Sequence, residues 1–505
     1  MSELPILNRD LVCSAAFQAR EDVRVPAPEL LDLPEKVVQF GTGAFLRGFV
    51  DCFIDEANRQ GRFGGRIVAV GSTGSGRDRV LNEQDGLYTL CVEGLEEGRP
   101  RSERRIVASV SRALSAASAW DEVLACARSP HLELVFSNTT EVGIVLDPED
   151  DGALQPPRSF PGKLTRFLYE RARAFDFDPA YGVVVIPCEL IEDNGDRLRR
   201  IVLELGERWG LGAAFGRWIE EGVPFCNTLV DRIVPGTPGE ARLGELQETL
   251  GYRDGLLTTC EVYRLFAIQG DEALRRRLAF ADADPGIVIA EDITPYRERK
   301  VRLLNGTHTI TVPAALLCGC ETVAEAVGHP LVGRFVRRVL FEELVPSLDV
   351  DGAEAFARAV LDRFSNPFIR HELIDITLQG TTKMRVRVVP SILRYAVKTG
   401  RPPAAVAFGF AAYLLFMRGD LQEERRRAGL HVPPDDRAEH FRSLWCSAGD
   451  DEGGLGRLVQ AVCSDVSLWD VDLSAVPGFV RSVADHLIRA CRDGVPAALE
   501  AFLDG

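Results

Sequence analysis

The run from Lys300 to His308, Lys-Val-Arg-Leu-Leu-Asn-Gly-Thr-His, combines an amine, a carboxamide and an imidazole. At about 100° per residue of an α-helix, Asn305 lies ~140° and His308 ~80° around the axis from Lys300, so all three can face one pocket. Reducing a ketone without a metal needs a proton donor and acceptor, and dipoles aimed at the developing alkoxide. The run predicts such a site, but its spacing also fits an ordinary amphipathic helix with Lys300 in solvent and His308 packed.

A glycine turn, Gly41-Thr-Gly43, follows a β-rich run and precedes a helical pattern. In dinucleotide-binding folds such a turn lets the backbone approach a pyrophosphate at a helix N-terminus. Two usual features are absent. Leu46 takes the place of the third glycine, and the segment after the second strand, Gly71-Ser-Thr-Gly-Ser-Gly-Arg77, has no acidic residue. The turn by itself therefore does not establish a dinucleotide site, and these residues leave the choice between NAD and NADP open.

Other cofactor and metal motifs are excluded by particular residues. Gly71 and Gly76 have the separation of a P-loop, but Arg77 replaces its lysine and Asp78 replaces the residue that binds Mg²⁺. Cys318-Gly-Cys320 has no second cysteine pair and no nearby histidine to complete a zinc site. We therefore expect no metal, and reduced thiols at the cysteines.

The elements that must position these residues follow from the distribution of apolar runs. Val- and Ile-rich runs at 36–40, 66–70, 132–136 and 182–187 alternate with helical patterns over about the first 280 residues, and a further short apolar run follows at 286–289. Such runs indicate a mainly parallel sheet covered on both faces. From Pro295 the pattern is mostly helical. We predict an α/β dinucleotide-binding domain over 1–284 and a mostly α-helical substrate and catalytic domain over 285–505.

Composition limits the partners. The chain has 505 residues and a net charge of −16, which argues against nucleic acid or an anionic membrane as a partner. Met1-Ser-Glu-Leu-Pro5 has no basic segment followed by an apolar one, so we expect no secretory signal. The apolar run 404–417 is too short to span a bilayer and predicts a buried helix. We expect a cytoplasmic protein, as a monomer or weak homo-oligomer. The net charge does not exclude an anionic sugar acid as a ligand, because a local cluster of Arg and Lys can still bind it.

Several segments in order resemble the long-chain polyol dehydrogenases, the mannitol dehydrogenase family. They are Gln39–Arg47, Asn82–Thr89, Ser137–Glu141, Pro187–Gly195, Phe225–Arg232 and Lys300–His308. The resemblance implies a Rossmann-like N-terminal domain, a mostly helical C-terminal domain and an active site in the cleft between them. It also implies metal-independent hydride transfer to and from a nicotinamide, with NAD expected and NADP not excluded.

The resemblance also assigns roles to residues. Lys300 would be the general acid/base, Asn305 would donate a hydrogen bond to the reacting oxygen, and His308 would orient the substrate. Cofactor contacts are expected at Phe40, Gly41, Gly43, Phe45, Arg47, Asn138 and Thr139. Substrate contacts are expected at Asp231, Arg370, His371 and Lys383.

One departure from the family concerns Glu189-Leu190, where mannitol-type members carry Asp-Asn. That Asn is a second oxyanion donor, and Leu190 has no polar atom to replace it. The Cys-Glu-Leu-Ile pattern resembles the branch that interconverts tagaturonate and altronate. A uronate carboxylate suits forked guanidinium groups, and 363–371 and 382–385 are rich in cations. Solvated surface charge is the alternative for many of them.

Three other functions stay open. A catalytically silent dinucleotide-binding sensor would not need Lys300, Asn305 and His308 together. A metal-dependent sugar-acid isomerase or epimerase would need a histidine cluster, but the histidines are scattered. Within the same family, a fructuronate or mannitol-type dehydrogenase is the nearest alternative.

Overall fold

The chain forms two compact units. The computed structural model describes residues 4–71, 76–139, 143–449 and 451–505. One unit comprises Met1–Gly94 and Pro100–Ile293, and the other comprises Leu95–Arg99 and Thr294–Gly505. The junction predicted at 282–285 lies shortly before this division. Ser72 to Ser75, and Thr140 and Glu141 of the segment 137–141, lie outside the described residues.

Every strand within the described residues lies before Glu291. Their bounds are β1 Glu35–Phe40, β2 Arg66–Gly71, β3 Tyr88–Glu96, β4 Arg99–Val107, β5 Val110–Ser115, β6 Leu134–Ser137, β7 Val184–Pro187, β8 Thr228–Asp231, β9 Thr258–Cys260, β10 Leu265–Gln269 and β11 Ile287–Ala290. Among these residues, five parallel strands form a sheet in the order β5-β2-β1-β6-β7. The smaller sheets have the orders β11-β10-β8 and β4-β3-β9.

The parallel sheet confirms the predicted α/β class. All residues of β2, β6 and β7 are buried, because helices cover both faces of a parallel sheet. The chain passes from β1 to one side of the sheet and later returns to pair β6 with β1. This reversal creates a switch point at the carboxyl ends of the strands, where such folds bind dinucleotides.

The helices of the first unit are α1 Arg9–Cys13, α2 Ala15–Gln18, α3 Ala44–Arg47, α4 Val50–Arg59, α5 Arg77–Glu83, α6 Trp120–Ala127, α7 Phe160–Ala174, α8 Asn194–Arg208, α9 Ala213–Gly222, α10 Glu240–Leu250 and α11 Glu272–Arg277. Short 3₁₀ helices cover Pro28–Asp32, Pro179–Tyr181 and Ala279–Ala283. The continuous helical pattern predicted from Ala44 to Arg59 is interrupted at Gly48 and Phe49. A Cβ on Gly48 would lie 2.7 Å from Val234 Cγ1, so the chain bends where this close approach occurs.

The second unit is helical from α12 Thr294–Arg299 onward, as predicted. Its further α-helices are α13 Thr307–Leu317, α14 Val323–Gly328, α15 Pro330–Arg337, α16 Val345–Ser347, α17 Ala353–Phe364, α18 Leu373–Ile376, α19 Gly380–Lys383, α20 Val389–Thr399, α21 Ala404–Met417, α22 Asp420–Arg427, α23 Ala438–Ala448, α24 Glu452–Ser464, α25 Val466–Trp469, α26 Phe479–Asp493 and α27 Val495–Asp504. Three π-helical segments are π1 Lys300–Gly306, π2 Arg338–Leu344 and π3 Met384–Val388, and Leu473–Ala475 is 3₁₀.

Helix α21 is the buried helix that the apolar run predicted. Every residue from Ala405 to Met417 is buried. It packs on α13 at Gly409, where a Cβ would lie 2.6 Å from the Ile310 carbonyl oxygen. Among the described residues no single helix has the length and apolarity to cross a membrane, and only the bent pair of α21 with α22 meets that test on length and composition.

Candidate active site

The Lys300–His308 run does not form a regular α-helix. Lys300 to Gly306 is the π-helical segment π1, and His308 lies in the first turn of α13. Because π-helical bonds join residues five apart, Lys300 and Asn305 lie about one turn from each other. The α-helical angles expected from the sequence are therefore wrong here, and the correction brings the amine and the carboxamide closer to one face. All three side chains are partly buried.

Prolines and close packing accompany the π-helical segments. Segment π1 packs against both π2 and π3. Pro346 follows the end of π2 closely, and Pro390 follows π3. Proline has no N–H and its ring crowds the carbonyl four residues earlier, so the preceding helical turn cannot keep regular α-helical bonding. At Gly306 a Cβ would lie 3.4 Å from the Arg387 carbonyl oxygen and 4.0 Å from Leu344 Cδ1, so the three segments meet around this residue.

His308 lies within a cluster of basic side chains. Its ring centroid is 5.3 Å from that of His371. Burial lowers the pKa of His308 well below its ordinary value, and four basic neighbours lower it further: His371, Arg363, Arg387 and Lys383. His308 is therefore a neutral imidazole at neutral pH, which can donate one hydrogen bond and accept another.

Lys383 and Arg387 of this basic cluster donate to neutral acceptors. Lys383 Nζ lies 2.9 Å from the Ile376 carbonyl oxygen, and Arg387 Nη1 lies 3.4 Å from Thr309 Oγ1. Burial lowers the pKa of both groups, and Arg387 adds to the effect on Lys383. The sequence reasoning missed Arg387. The sequence feature that could have indicated Arg387 is its four-residue spacing from Lys383, which places two cations on one helical face.

The other cations predicted to contact substrate have different surroundings. Arg370 is exposed, with Nε 2.5 Å from Glu372 Oε1 and Nη2 3.5 Å from Glu321 Oε2. Burial lowers the pKa of His371, while Asp375 and Glu372 act in the opposite direction. The structure thus brings His371 and Lys383 to His308, and directs the Arg370 guanidinium towards two carboxylates. The substrate role of Arg370 stays a prediction.

The glycine turn of the first unit has two different glycines. Gly41 has φ +137°, and a Cβ there would lie 2.8 Å from Leu46 Cδ1 and 3.2 Å from the Asn138 carbonyl oxygen. The fold therefore needs glycine at this position. A Cβ on Gly43 would meet nothing within 4 Å. Gly43 leaves open space at the N-terminus of α3, which fits a closely approaching pyrophosphate.

Three other residues predicted to contact the cofactor support this turn through packing or hydrogen bonding. Phe40 is buried at the end of β1, its ring 5.5 Å from that of Phe160. Phe45 is partly buried and stacks on Phe49 at 4.9 Å. Arg47 is buried, with Nη1 2.7 Å from the Thr42 carbonyl oxygen. The Arg47 side chain thus holds the turn through its backbone. Direct cofactor contacts by these residues stay predictions.

A buried carboxyl joins the ends of β6 and β7. Glu189 Oε1 accepts hydrogen bonds from the N–H of Thr139 at 2.9 Å and its hydroxyl at 3.0 Å, and Oε2 accepts from Ser137 Oγ at 3.1 Å. Burial raises the pKa of Glu189, although these bonds oppose it. Asn138 Nδ2 donates to the Cys188 carbonyl oxygen at 2.7 Å. Asn138 and Thr139, both predicted to contact the cofactor, are therefore held rigidly at the switch point of the sheet.

Leu190 follows this carboxyl and projects into solvent, with 62% of its surface exposed. The nearest carboxamide in sequence, Asn194, is committed elsewhere, because Nδ2 donates to the carbonyls of Pro187 and Glu189 and to Thr228 Oγ1. It cannot serve as the missing oxyanion donor. Asp231 is buried at the end of β8, in the first unit.

No metal centre is formed by the part of the chain that the structure describes. Among residues 4–71, 76–139, 143–449 and 451–505, no group of three His, Cys, Asp or Glu side chains is arranged to hold a metal ion. Cys318 and Cys320, the closest cysteine pair in the sequence, are free thiols.

Relatives of the chain are similar over nearly its whole length. The altronate oxidoreductase of Bacillus subtilis (strain 168) is 41% identical over 469 residues, covering 93% of this chain and 95% of that protein. The altronate oxidoreductase of Cronobacter sakazakii (strain ATCC BAA-894) is 42% identical over 472 residues, covering 92% and 96%.

Solved structures share the fold, and two family models match most of the chain. Pseudomonas fluorescens mannitol 2-dehydrogenase, in a ternary complex with NAD and D-mannitol, is 25% identical with a TM-score of 0.68, covering 99% of each chain. A D-sorbitol dehydrogenase in substrate-free form, 22% identical with a TM-score of 0.78 over 98% of this chain and 100% of that one, has the same fold. The mannitol dehydrogenase Rossmann domain matches residues 35–281, and the mannitol dehydrogenase C-terminal domain matches 292–491. The chain therefore belongs to the mannitol dehydrogenase family and is an oxidoreductase that acts on CH–OH groups.

Proposed function

We propose that the protein interconverts D-altronate and D-tagaturonate with NAD⁺ and NADH. The observation that carries this proposal is the basic cluster around His308. A uronate differs from a plain polyol by a carboxylate, and partly buried guanidinium and ammonium groups complement that charge. The altronate oxidoreductases that are 41% identical over 93% of the chain support the same substrate.

The state of the basic cluster favours an anionic ligand. Lys383 and Arg387 donate to neutral oxygens, and burial lowers the pKa of both. A cation that has lost hydration gains most from an opposite charge placed beside it. A substrate carboxylate bound between these side chains would supply that charge, whereas a neutral ketose would not.

Lys300 is proposed to act as the general acid/base. In oxidation its neutral amine accepts the hydroxyl proton of altronate while the hydride leaves the same carbon, and in reduction its ammonium returns the proton to the carbonyl oxygen. When bound, a nicotinamide takes up or supplies that hydride. The Asn305 amide donates to the developing alkoxide, and the neutral His308 imidazole orients a neighbouring hydroxyl. The balance is altronate + NAD⁺ giving tagaturonate + NADH + H⁺.

The Gly41-Thr-Gly43 turn is proposed to hold the dinucleotide pyrophosphate. The open space at Gly43 and the backbone amides at the start of α3 suit an anion there. The choice of NAD over NADP rests on the relative from Pseudomonas fluorescens, whose complex contains NAD. Residues 72–75, which follow the second strand, lie outside the described residues.

A substrate panel tests the proposal. Steady-state rates with tagaturonate, fructuronate and fructose are compared in the presence of NADH and of NADPH. We expect the highest kcat/KM for tagaturonate with NADH. Turnover of fructose equal to that of any ketouronate would refute the uronate assignment, and a preference for fructuronate would move the protein to the nearest alternative.

Arg387→Met sharpens the panel. Loss of one charge-assisted contact costs about 1.5–3 kcal/mol, so KM for tagaturonate should rise about 10- to 100-fold while that for fructose changes little. Arg385→Met is the matched control on the same turn, because its guanidinium lies 3.4 Å from Asp470 Oδ1. Equal effects of the two substitutions would mean that the basic cluster does not bind the carboxylate.

A further inference from the structure

Arg302 lies inside the catalytic segment π1, between Lys300 and Asn305, and is buried. Its Nη1 donates to the carbonyl oxygen of Val386 and, at 3.2 Å, to that of Arg387. Both carbonyls belong to π3, which also carries the Arg387 side chain. One guanidinium thus joins the turn that holds the acid/base to the turn that carries Arg387 of the basic cluster.

The sequence explains why a carbonyl in π3 is available. Pro390 lies four residues after Val386 and has no N–H, so the Val386 carbonyl cannot receive the usual helical hydrogen bond. The Arg302 guanidinium replaces that donor with a charge-assisted bond.

The other edge of the guanidinium is fixed by Glu298 of α12. Arg302 Nη2 lies 3.1 Å from Glu298 Oε1, and Nε lies 3.3 Å from Oε2. Arg394 Nη1 holds the same carboxylate, 2.5 Å from Oε2. The orientation of Arg302 is therefore set from two sides, by carbonyls on π3 and by a carboxylate on α12.

We infer that Arg302 is a positioning residue that sets the distance between the basic cluster and the acid/base. This inference rests on the proposed function. A uronate engages both turns at once, with its carboxylate at Arg387 of the basic cluster, on π3, and its carbonyl at Lys300 and Asn305 on π1. A neutral ketose engages only π1. Arg302 therefore contributes to the preference for the carboxylate-bearing substrate without contacting it.

Arg302→Met tests this inference, because methionine keeps an apolar stem and removes the fork. We expect kcat/KM for tagaturonate to fall at least about 10-fold relative to that for fructose, the range of one lost charge-assisted bond. NADH affinity should stay unchanged. Arg394→Met is the matched control, since it removes a partner of Glu298 and leaves the two carbonyls bound to Arg302. A parallel loss with both substrates would overturn the inference.

Pro390→Ala distinguishes a positioning role of Arg302 from one in which Arg302 only donates a hydrogen bond to the Val386 carbonyl. It restores an N–H that can bond the Val386 carbonyl, so Arg302→Met/Pro390→Ala should recover part of any loss in Tm. It does not restore the link between π1 and π3, so the tagaturonate-to-fructose ratio should stay low. Recovery of that ratio would show that Arg302 only satisfies a carbonyl, and would overturn the inference.

Wild-type rates are measured first, so failure of the substrate assignment is visible before any variant is read. If the wild type prefers another carboxylate-bearing ketose, that ketose takes the place of tagaturonate in the ratio. If it prefers a neutral ketose, the proposed function fails. A positioning role would then require that Arg302→Met lowers kcat for that ketose more than Arg394→Met does, and that adding Pro390→Ala does not restore it. Equal effects of Arg302→Met and Arg394→Met would overturn the positioning role.

Discussion

The glycine turn of the first unit and the π-helical turns of the second differ in what their polar side chains do. Around the glycine turn, polar groups hold backbone in place: Glu189 binds Thr139, and Arg47 binds the Thr42 carbonyl. Around π1, basic side chains cluster at His308 and donate to neutral oxygens. The first region is arranged to preserve a shape, and the second to present charge.

The two regions also differ in which residues determine the backbone conformation. Gly41 allows a φ of +137° and a contact that a side chain would block. In the second unit, Pro390 removes a helical hydrogen bond, and Arg302 binds the carbonyl that this leaves. A change in the first region should therefore act through stability and cofactor affinity, and a change in the second through the chemical step. Three predictions test that contrast.

The largest effect is expected for Lys300→Ala. Loss of a positioned acid/base should lower kcat about 10²–10⁴-fold in both directions. NADH affinity should be unchanged, because Lys300 belongs to the second unit. Lys398→Ala is a control, since Lys398 Nζ binds Asp349 at the surface. Near-normal turnover in both directions would mean that the Lys300–His308 run is structural.

Gly41→Ala and Gly43→Ala should have separable effects. Alanine at Gly41 combines a strained φ with a contact of 2.8 Å, so the free energy of unfolding should fall by about 1–3 kcal/mol. Alanine at Gly43, with nothing within 4 Å, should leave stability unchanged and weaken NADH binding. Thermal unfolding and NADH titration measure the two properties. A stable Gly41→Ala variant would break the view of this region as one that preserves shape.

The smallest effect concerns Asp51, beneath the glycine turn. Burial raises the pKa of Asp51 to about 7, while the Tyr88 hydroxyl donates to Oδ2 at 3.2 Å. Since the folded-state pKa is raised, this contribution to stability is fully present below the unfolded pKa and is lost as pH rises through about 7.

Asp51→Asn keeps an acceptor and removes the titration. At pH 8 its Tm should exceed that of the wild type by ~2–4 °C, equivalent to about 1 kcal/mol in a domain of this size. The difference should shrink as pH falls below 3.8, the ordinary pKa of the group, where the wild-type carboxyl is protonated in both states. Unfolding followed across this pH range measures it. A difference independent of pH would show that Asp51 does not titrate in the folded protein.

Several expectations from sequence are confirmed by particular elements. The runs 36–40, 66–70, 132–136, 182–187 and 286–289 each overlap a strand, and the segment 404–417 is a buried helix. These features depend on which residues must leave water, and apolar runs record that directly. The regular α-helix expected through Lys300 and the continuous helix from Ala44 to Arg59 are wrong, because each depends on a packing contact with a distant part of the chain.

The sequence by itself determined the residue types available for chemistry, the parallel sheet and the glycine turn, since these depend on local composition and spacing. Only the tertiary structure placed Lys300 and Asn305 one π-helical turn apart, added Arg387 to the basic cluster and directed the Arg370 guanidinium towards Glu321 and Glu372. The physical reason is that a helix takes its hydrogen-bond register, and a cation its partner, from groups far away in the chain. Arg302 shows this most directly, because its two carbonyl acceptors lie in a different segment, and Pro390 cannot supply the usual helical donor to one of them, the Val386 carbonyl.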